Sequence, residues 1–333
     1  MSSLAVIVVS FNTRDLLRDC LRSIFSSTLA ALTVIVVDNA SHDGSADMVR
    51  AEFPQAILLE PGENLGFTKA NNLALKTLGF PLTPSPVHPF TPSPLHPLTP
   101  SDFVLLLNPD TQLPPDTLSR MVDFMDSTPS AGACGAHLRY GDGSFQHGAF
   151  RFPSLAQVII DLFPVHRLPG GHRLLDSGLN GRYSPRLWEK GEPFVVDFVL
   201  GAAIMVRGEA VAQTGGLDEG FFMYCEEMDW CLRLTEAGWP VYALPHAQVI
   251  HFEGQSSKQV PWASFVQLWR SRFRFYAKHP ARYGPVHDGA LRLILKIWLG
   301  QQRRDAQRRF GRDEITGVQL DAELAAYAAV SDL

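Results

Sequence analysis

The sequence predicts a doubly wound α/β fold, a mixed sheet flanked by helices on both faces, with a helical extension at its C-terminal end. Three observations carry this. Residues 4–9 (LAVIVV) and 32–37 (LTVIVV) are continuous, β-branched apolar runs, the composition of strands buried on both faces. Between them Leu16, Leu17, Cys20, Leu21, Ile24 and Phe25 recur at helical spacing, with Asn12 placed to cap the helix start. A third strand at 56–59, a helix near 68–78 and a fourth strand at 103–107 continue the alternation, so the first 125 residues read as half of a doubly wound sheet. Ligands of such sheets bind at the carboxyl ends of the strands.

Further along, the pattern predicts a strand at 132–138, a turn at Tyr140-Gly-Asp-Gly, a loop-rich stretch to about Pro193, a strand at 195–206, a helix at 227–237 and a strand at 241–250. After about Gly254 the chain reads as helical and basic. The expected organisation is therefore an α/β domain over 1–254, its halves 1–125 and 126–254, and a basic helical region over 255–333. One segment breaks the rhythm. At 81–101, PLTPSPVH, PFTPSPLH and PLTPS repeat every eight residues and hold eight of the 24 prolines. Proline removes backbone donors and favours polyproline II, so this insert cannot extend the sheet. It is expected at the amino edge, away from the ligand side, as a passive insertion or a docking peptide for a proline-reading partner.

A chain of 333 residues, 46% hydrophobic and 19% charged, buries a sizeable core without covalent staples. The formal net charge of -5 excludes a wholly basic nucleic-acid coat, but it is unevenly spread. Residues 251–312 hold 13 basic and 3 acidic side chains, residues 313–333 carry 5 acids and no base, and residues 1–250 sum to -10. Cys20, Cys134, Cys225 and Cys231 are too dispersed for a disulfide framework and form no CxxC pair for zinc. The N-terminal apolar run reads as a buried strand rather than a signal peptide, and no window reaches the roughly 18 apolar residues of a spanning helix. The expected location is cytoplasmic.

The strand ends carry the candidate chemistry. The first strand runs into Ser10-Phe-Asn12 where a dinucleotide-binding domain would have GxGxxG, and the second ends at Asp38, which can accept hydrogen bonds from a ribose or nucleobase or serve as a loop or capping acid. The fourth ends in LLLNPDT, delivering Asn108 and Asp110 at the rim; Asp110 can hold a divalent metal bridging a diphosphate, though Asn-Pro-Asp is also a common turn. In the helix at 227–237, Glu226, Asp229 and Arg233 share one face and read as a solvated ion-pair stripe. Glu227 tops the apolar face formed with Trp230, Cys231 and Leu234, a placement suited to a general base or to an exposed cap. His251, closing the strand at 241–250, can complete a metal site with Asp110 or stand solvated.

Seven segments in order (VIVVSFN, VIVVDNAS with DGS, ENLGFTKANN, LLLNPDT, GAAIMVR, GGLDEGFFMYCEEMDWCLR and HFEGQS) resemble the family 2 glycosyltransferases, within them the bacterial rhamnosyltransferase-like group. The resemblance runs from Val6 to about Ser257, with gaps at the proline insert and at 155–190. It implies a GT-A fold and a metal-assisted, inverting transfer of a sugar from a nucleotide diphosphate to an acceptor hydroxyl. By position it implies that Ser10, Asn12 and Asp38 bind the nucleoside and that Asn64, Gly66 and Asn71 line the donor pocket, with Asn108 beside them. Asp110 falls on the metal ligand of a DXD-like motif, Glu227 on the catalytic base, and His251 on a metal- or diphosphate-contacting histidine. Glu226 and Asp229 are the supporting or alternative carboxylates.

The resemblance further implies manganese or magnesium as cofactor and dTDP-L-rhamnose as the favoured donor. The acceptor would be a glycan or lipid-linked glycan, in cell-surface polysaccharide synthesis. Relatives commonly read Glu-Asp at the base position; here it is Glu226-Glu227, one methylene longer, which keeps a non-catalytic nucleotide-sugar-binding protein as the alternative. A glycoside hydrolase has no use for a nucleotide crevice. Residues 262–299 interleave bases with large apolar groups, notably LRLILKIWL at 291–299. This stretch packs against the catalytic domain or lies peripherally on an anionic membrane surface at the inner face; no nucleic-acid module accompanies the charge.

Overall fold

The computed structural model describes residues 2–29, 31–83, 101–167, 170–175, 177–254 and 260–333. The alternation opens with β1 (Leu4–Ser10), α1 (Arg14–Phe25), β2 (Leu32–Asp38), α2 (Ser45–Glu52), β3 (Ile57–Leu59), α3 (Gly66–Thr77) and β4 (Phe103–Leu107). It continues through β5 (Thr111–Gln112), α4 (Thr117–Ser127), β6 (Ala133–Arg139), β7 (Ala149–Phe150), α5 (Leu155–Leu162), α6 (His172–Leu175) and α7 (Pro185–Glu189). Then come β8 (Phe194–Val196), β9 (Phe198–Val199), β10 (Ala203–Arg207), α8 (Gly208–Thr214), α9 (Glu226–Glu236) and β11 (Val241–His251), and last α10 (Pro261–Lys278), α11 (Pro285–Phe310) and α12 (Gly317–Ser331).

The chain groups into two compact units. The first holds Met1–Phe152, Tyr183–Phe222 and Glu226–Ser256, around a sheet of order β3-β2-β1-β4-β10-β6-β11-β5, with β8 also pairing β11. β1, β2, β3 and β4 run parallel, as do β6 and β11, while β10, β5 and β8 pair antiparallel to their neighbours. This is the expected mixed, doubly wound sheet. Along β1, Leu4, Val6 and Val8 join a core with α1, α2 and α4, while Ala5, Ile7 and Val9 join one with α3, α8 and α9. Period-two alternation inside an all-apolar run thus supplies two cores at once.

Three local expectations change. Asn12 does not cap α1: it adopts φ 52° and its Oδ1 accepts the His42 N–H at 2.8 Å. The Arg14 N–H at the helix start is met instead by Asp43 Oδ2 at 2.7 Å. The single strand expected at 195–206 is three short ones, broken where Asp197 turns its carboxylate to the Phe152 N–H (2.7 Å) and where 200–202 leaves the ladder. β9 consequently pairs with β7 in a separate small sheet. The stretch from the Tyr140 turn to about Pro193, expected as loop-rich, carries α5, α6 and α7.

The second unit holds Pro153–Arg182, Met223–Cys225 and Ser257–Leu333. Residues 153–182 and 223–225 therefore group with the C-terminal helices rather than with the rest of 1–254. Leu291, Leu295 and Leu299 form the buried stripe of α11, and Trp262, Trp298 and Tyr327, with Phe265, pack ring against ring between α10, α11 and α12. The buried Glu323 accepts from Tyr327 Oη at 2.7 Å and pairs with Arg309. α12 starts in a capping box, Thr316 and Gln319 each bonding the other's backbone N–H. The proline repeat expected at 81–101 falls almost wholly outside the described residues. Its downstream flank is fixed at the amino end of β4, where Asp102 Oδ2 accepts the Ser3 N–H at 2.7 Å.

Within the first unit, α3 is tied to the segment that leads to α9 by Asn72, whose buried Nδ2 donates to the Leu217 carbonyl (2.8 Å) and whose Oδ1 accepts the Leu217 N–H (3.0 Å). Asn72→Ala orphans both backbone groups and is expected to cost about 2–4 kcal/mol, read as a lowered urea midpoint at unchanged m-value. A variant as stable as the parent would show that this tie carries no load.

Candidate active site

Ser10 and Asp38 face each other in register at the carboxyl ends of β1 and β2. Ser10 Oγ lies 3.0 Å from Thr13 Oγ1, and the Asn39 N–H donates to the Ser10 carbonyl at 2.8 Å. Asp38 Oδ2 accepts the Ser41 N–H at 3.1 Å, while its buried Oδ1 has no partner among the described residues. A buried acceptor without a donor is costly unless something else supplies one. Asn39, which the sequence reading passed over, joins the next segment to this edge. Its Nδ2 donates to Asn64 Oδ1 (2.9 Å) and the Gly66 carbonyl (3.2 Å), and its Oδ1 accepts the Leu65 N–H (2.8 Å).

Asn64 and Gly66 are thereby brought to the end of β2. Gly66 has φ 77°, and a Cβ there would stand 2.5 Å from the Phe222 carbonyl oxygen, so glycine is required. Asn71 is turned back on its own helix, Nδ2 donating to the Phe67 carbonyl at 2.8 Å. Neighbouring Asn72 makes the tertiary tie. Two successive amides between Ala70 and Leu73 were the available signal for it.

The LLLNPDT segment folds as its turn chemistry dictates. Thr111 Oγ1 donates to the Asn108 carbonyl at 2.7 Å, and the Asn108 N–H donates to the Ala202 carbonyl at 2.9 Å. β5 then pairs antiparallel with the end of β11, Thr111 opposite His251, and the Phe252 N–H donates to the Asp110 carbonyl at 2.9 Å. This pairing sets His251 Nε2 3.4 Å from Asp110 Oδ1, both side chains buried. Buried Gln146, absent from the sequence reading, meets the other ring nitrogen, Oε1 to Nδ1 at 3.2 Å. One carboxylate and one imidazole fit a divalent ion such as manganese. Among the described residues no group of three or more His, Cys, Asp or Glu side chains gathers, so remaining ligands would come from substrate oxygens or water.

The acids of α9 reverse the expected faces. Glu226 is 4% exposed and Asp229 0%, so they are not a solvated stripe, and Glu227 is the half-buried one. The reason is what packs over that face. Asp229 Oδ2 takes Arg233 Nε at 2.8 Å, and Arg233 donates from Nη1 and Nη2 to the Thr214 and Gly216 carbonyls, closing the end of α8. Asp229 is thus a structural clamp. The chain enters α9 through Tyr224 and Cys225, both left-handed (φ 71° and 67°), a conformation costly for side chains of this size. The Glu227 side chain lies over Gly201: a methyl there would come 3.6 Å from its Cβ and Cγ.

Residues 2–274 match the family model described as glycosyltransferase-like family 2. The chain belongs to this family. It is 29% identical over 311 residues to the N-acetylglucosaminyl-diphospho-decaprenol L-rhamnosyltransferase of Mycobacterium tuberculosis, covering 92% of this chain and 96% of that one. To the rhamnosyltransferase WbbL of Escherichia coli K12 it is 28% identical over 178 residues, 53% of this chain and 62% of that one. Its fold is similar to that of the mannosyltransferase PcManGT from Pyrobaculum calidifontis, solved with GDP-Man and Mn2+, at a TM-score of 0.53 and 16% identity over 99% of this chain and 87% of that one. The GT-A fold expected from the sequence is the one observed, and the protein is a glycosyltransferase.

In this glycosyltransferase the two adjacent glutamates share a charge problem. Burial, then the neighbouring Glu227 charge, push the Glu226 carboxyl well above the usual range. Burial also raises Glu227, against backbone N–H groups of Glu227, Met228 and Gly201 that favour its ionised form. Both carboxyls therefore bind protons more tightly folded than unfolded. Folding stability falls as pH rises from the ordinary carboxylate range through the raised values. Glu226→Gln removes the larger contribution, and its gain in Tm is expected to be greater at pH 8 than at pH 5. Equal melting shifts at both pH values would contradict a carboxyl forced to ionise in a buried place.

Proposed function

We propose that this glycosyltransferase transfers L-rhamnose, with inversion, from dTDP-L-rhamnose to a hydroxyl of a lipid-linked glycan in cell-surface polysaccharide synthesis. The observation that carries the reading is the approach of Asp110 to His251 at 3.4 Å, on the same strand edge that presents the unpartnered Asp38 Oδ1. Asp38 accepts from the nucleoside, with Ser10, Asn12 and Asn108 around it and Asn64, Gly66 and Asn71 shaping the donor pocket. Asp110 and His251 would hold manganese or magnesium, which when bound offsets negative charge on the leaving diphosphate.

Glu227 takes the proton of the acceptor hydroxyl as its oxygen forms the bond to the anomeric carbon and the bond from that carbon to the diphosphate oxygen breaks. Burial and the Glu227 charge disfavour a second ionised carboxylate at Glu226. The choice of rhamnose is supported by what the relatives from M. tuberculosis and E. coli are named for, and that of a lipid-linked acceptor by the decaprenol in the name of the first.

A membrane-bound acceptor also suits the exposed side of α11. Val286, Leu293 and Ile297 are 87%, 60% and 50% exposed and fall on one stripe, with Arg292 and Lys296 alongside. No helix among the described residues is long and apolar enough to cross a membrane, and we place the enzyme peripherally on the cytoplasmic face.

A panel of nucleotide sugars with Mn2+ is expected to single out dTDP-L-rhamnose by thermal stabilisation and by release of dTDP. Stabilisation by none of them defeats the reading. Glu227→Gln is expected to lose turnover by about 10²–10⁴-fold while donor stabilisation persists; retained turnover would move the base elsewhere. Leu293→Glu with Ile297→Glu is expected to abolish co-flotation with phosphatidylglycerol vesicles, and a parent protein that does not float removes the membrane from the proposal.

A further inference from the structure

We infer that Gln146 is a positioning residue for the metal pair, holding His251 in the tautomer whose free nitrogen faces Asp110. The inference rests on the reading of Asp110 and His251 as metal ligands. Gln146 is placed by backbone rather than by its own side chain. Strand β6 ends at Arg139, a tight turn closes through the Gly143 N–H to the Tyr140 carbonyl (2.8 Å) and the Tyr140 N–H to the Ser144 carbonyl (2.9 Å), and the chain returns. On the way back the Gln146 N–H donates to the Leu138 carbonyl at 3.1 Å. β6 in turn lies parallel to β11, Arg139 opposite Ile250, which puts Gln146 beside the strand end bearing His251.

The chemistry follows from what faces what. Gln146 Oε1 lies 3.2 Å from His251 Nδ1, and a carbonyl oxygen only accepts, so Nδ1 carries the proton. In the neutral ring the lone pair is then at Nε2, 3.4 Å from the Asp110 carboxylate oxygen. Two acceptors turned toward one another in a buried place repel unless a cation lies by them. With Nε2 protonated the histidine would simply donate to Asp110, and Nδ1 would need a donor that Oε1 is not. An outer partner that fixes a ligating histidine's tautomer typically changes metal affinity about 10- to 100-fold when removed.

The test uses the full-length protein, with Mn2+ alone as probe, followed by water-proton relaxation, and with 15N-histidine NMR of the metal-free protein, His251 assigned by its loss in His251→Asn. The parent is expected to bind Mn2+ and to show His251 protonated at Nδ1. Gln146→Leu, which offers no acceptor, is expected to bind Mn2+ about tenfold or more weakly and to lose the Nδ1–H tautomer. Gln146→Glu, which keeps an acceptor, is expected to retain both. If Gln146→Leu binds as the parent does, the positioning role is wrong while the metal pair stands. A parent that binds no Mn2+ removes the metal reading and this inference together. Should Gln146→Leu not fold, an Nε2–H tautomer in the parent, or loss of binding in Gln146→Glu, overturns the inference.

Discussion

Strand β1 has no exposed side chain: from Leu4 to Ser10 every residue is buried, on alternate faces, between two layers of helices. A strand in that position must satisfy its backbone wholly through neighbours, and β2 and β4 flank it in parallel over most of its length. Polar side chains can then emerge only where the strands stop. Ser10, Asp38 and the Asn108-Pro109-Asp110 turn all stand at that shared carboxyl edge. The edge collects polar side chains because the interior of the sheet tolerates none.

The candidate chemistry is assembled on that edge by pairings distant in sequence. The two-residue strand β5 contributes little to the sheet by area, yet its pairing to β11 carries Asp110 to His251 across 141 positions of chain. Left-handed Tyr224 and Cys225 turn the chain into α9 so that two glutamates occupy its first turn. Such backbone persists only where surrounding contacts hold it. Within the second unit one hold is visible, Ser271 Oγ donating to the Met223 carbonyl at 2.7 Å. Within the first, the clamp of Asp229 and Arg233 on the Thr214 and Gly216 carbonyls fixes α9 to the end of α8.

The apolar residues of α11 divide between its two sides. Leu291, Leu295 and Leu299 enter the core of the second unit, while Leu293 and Ile297 on the same helix remain outside beside Arg292 and Lys296. One side of α11 packs with α12 and α5, and the other carries these exposed residues.

Periodicity alone determined the β-α alternation through β4, the strand-end positions of Ser10, Asp38, Asp110 and His251, and the helix that carries Glu226 and Glu227. These follow from local chemistry: a β-branched run buried on both faces, or an apolar stripe at helical spacing, reads the same wherever the chain goes next. What lies over each face does not. The burial of Glu226 and Asp229, the half-buried place of Glu227, the splitting of 195–206 into three strands and the loop role of Asn12 all depend on partners tens of residues away. Asn39, Asn72 and Gln146 carried no motif, and their amides acquire meaning only from the carbonyls, N–H groups and ring nitrogen that folding sets opposite them. Tertiary structure decided these points because a hydrogen bond is made by two groups, and the sequence shows one at a time.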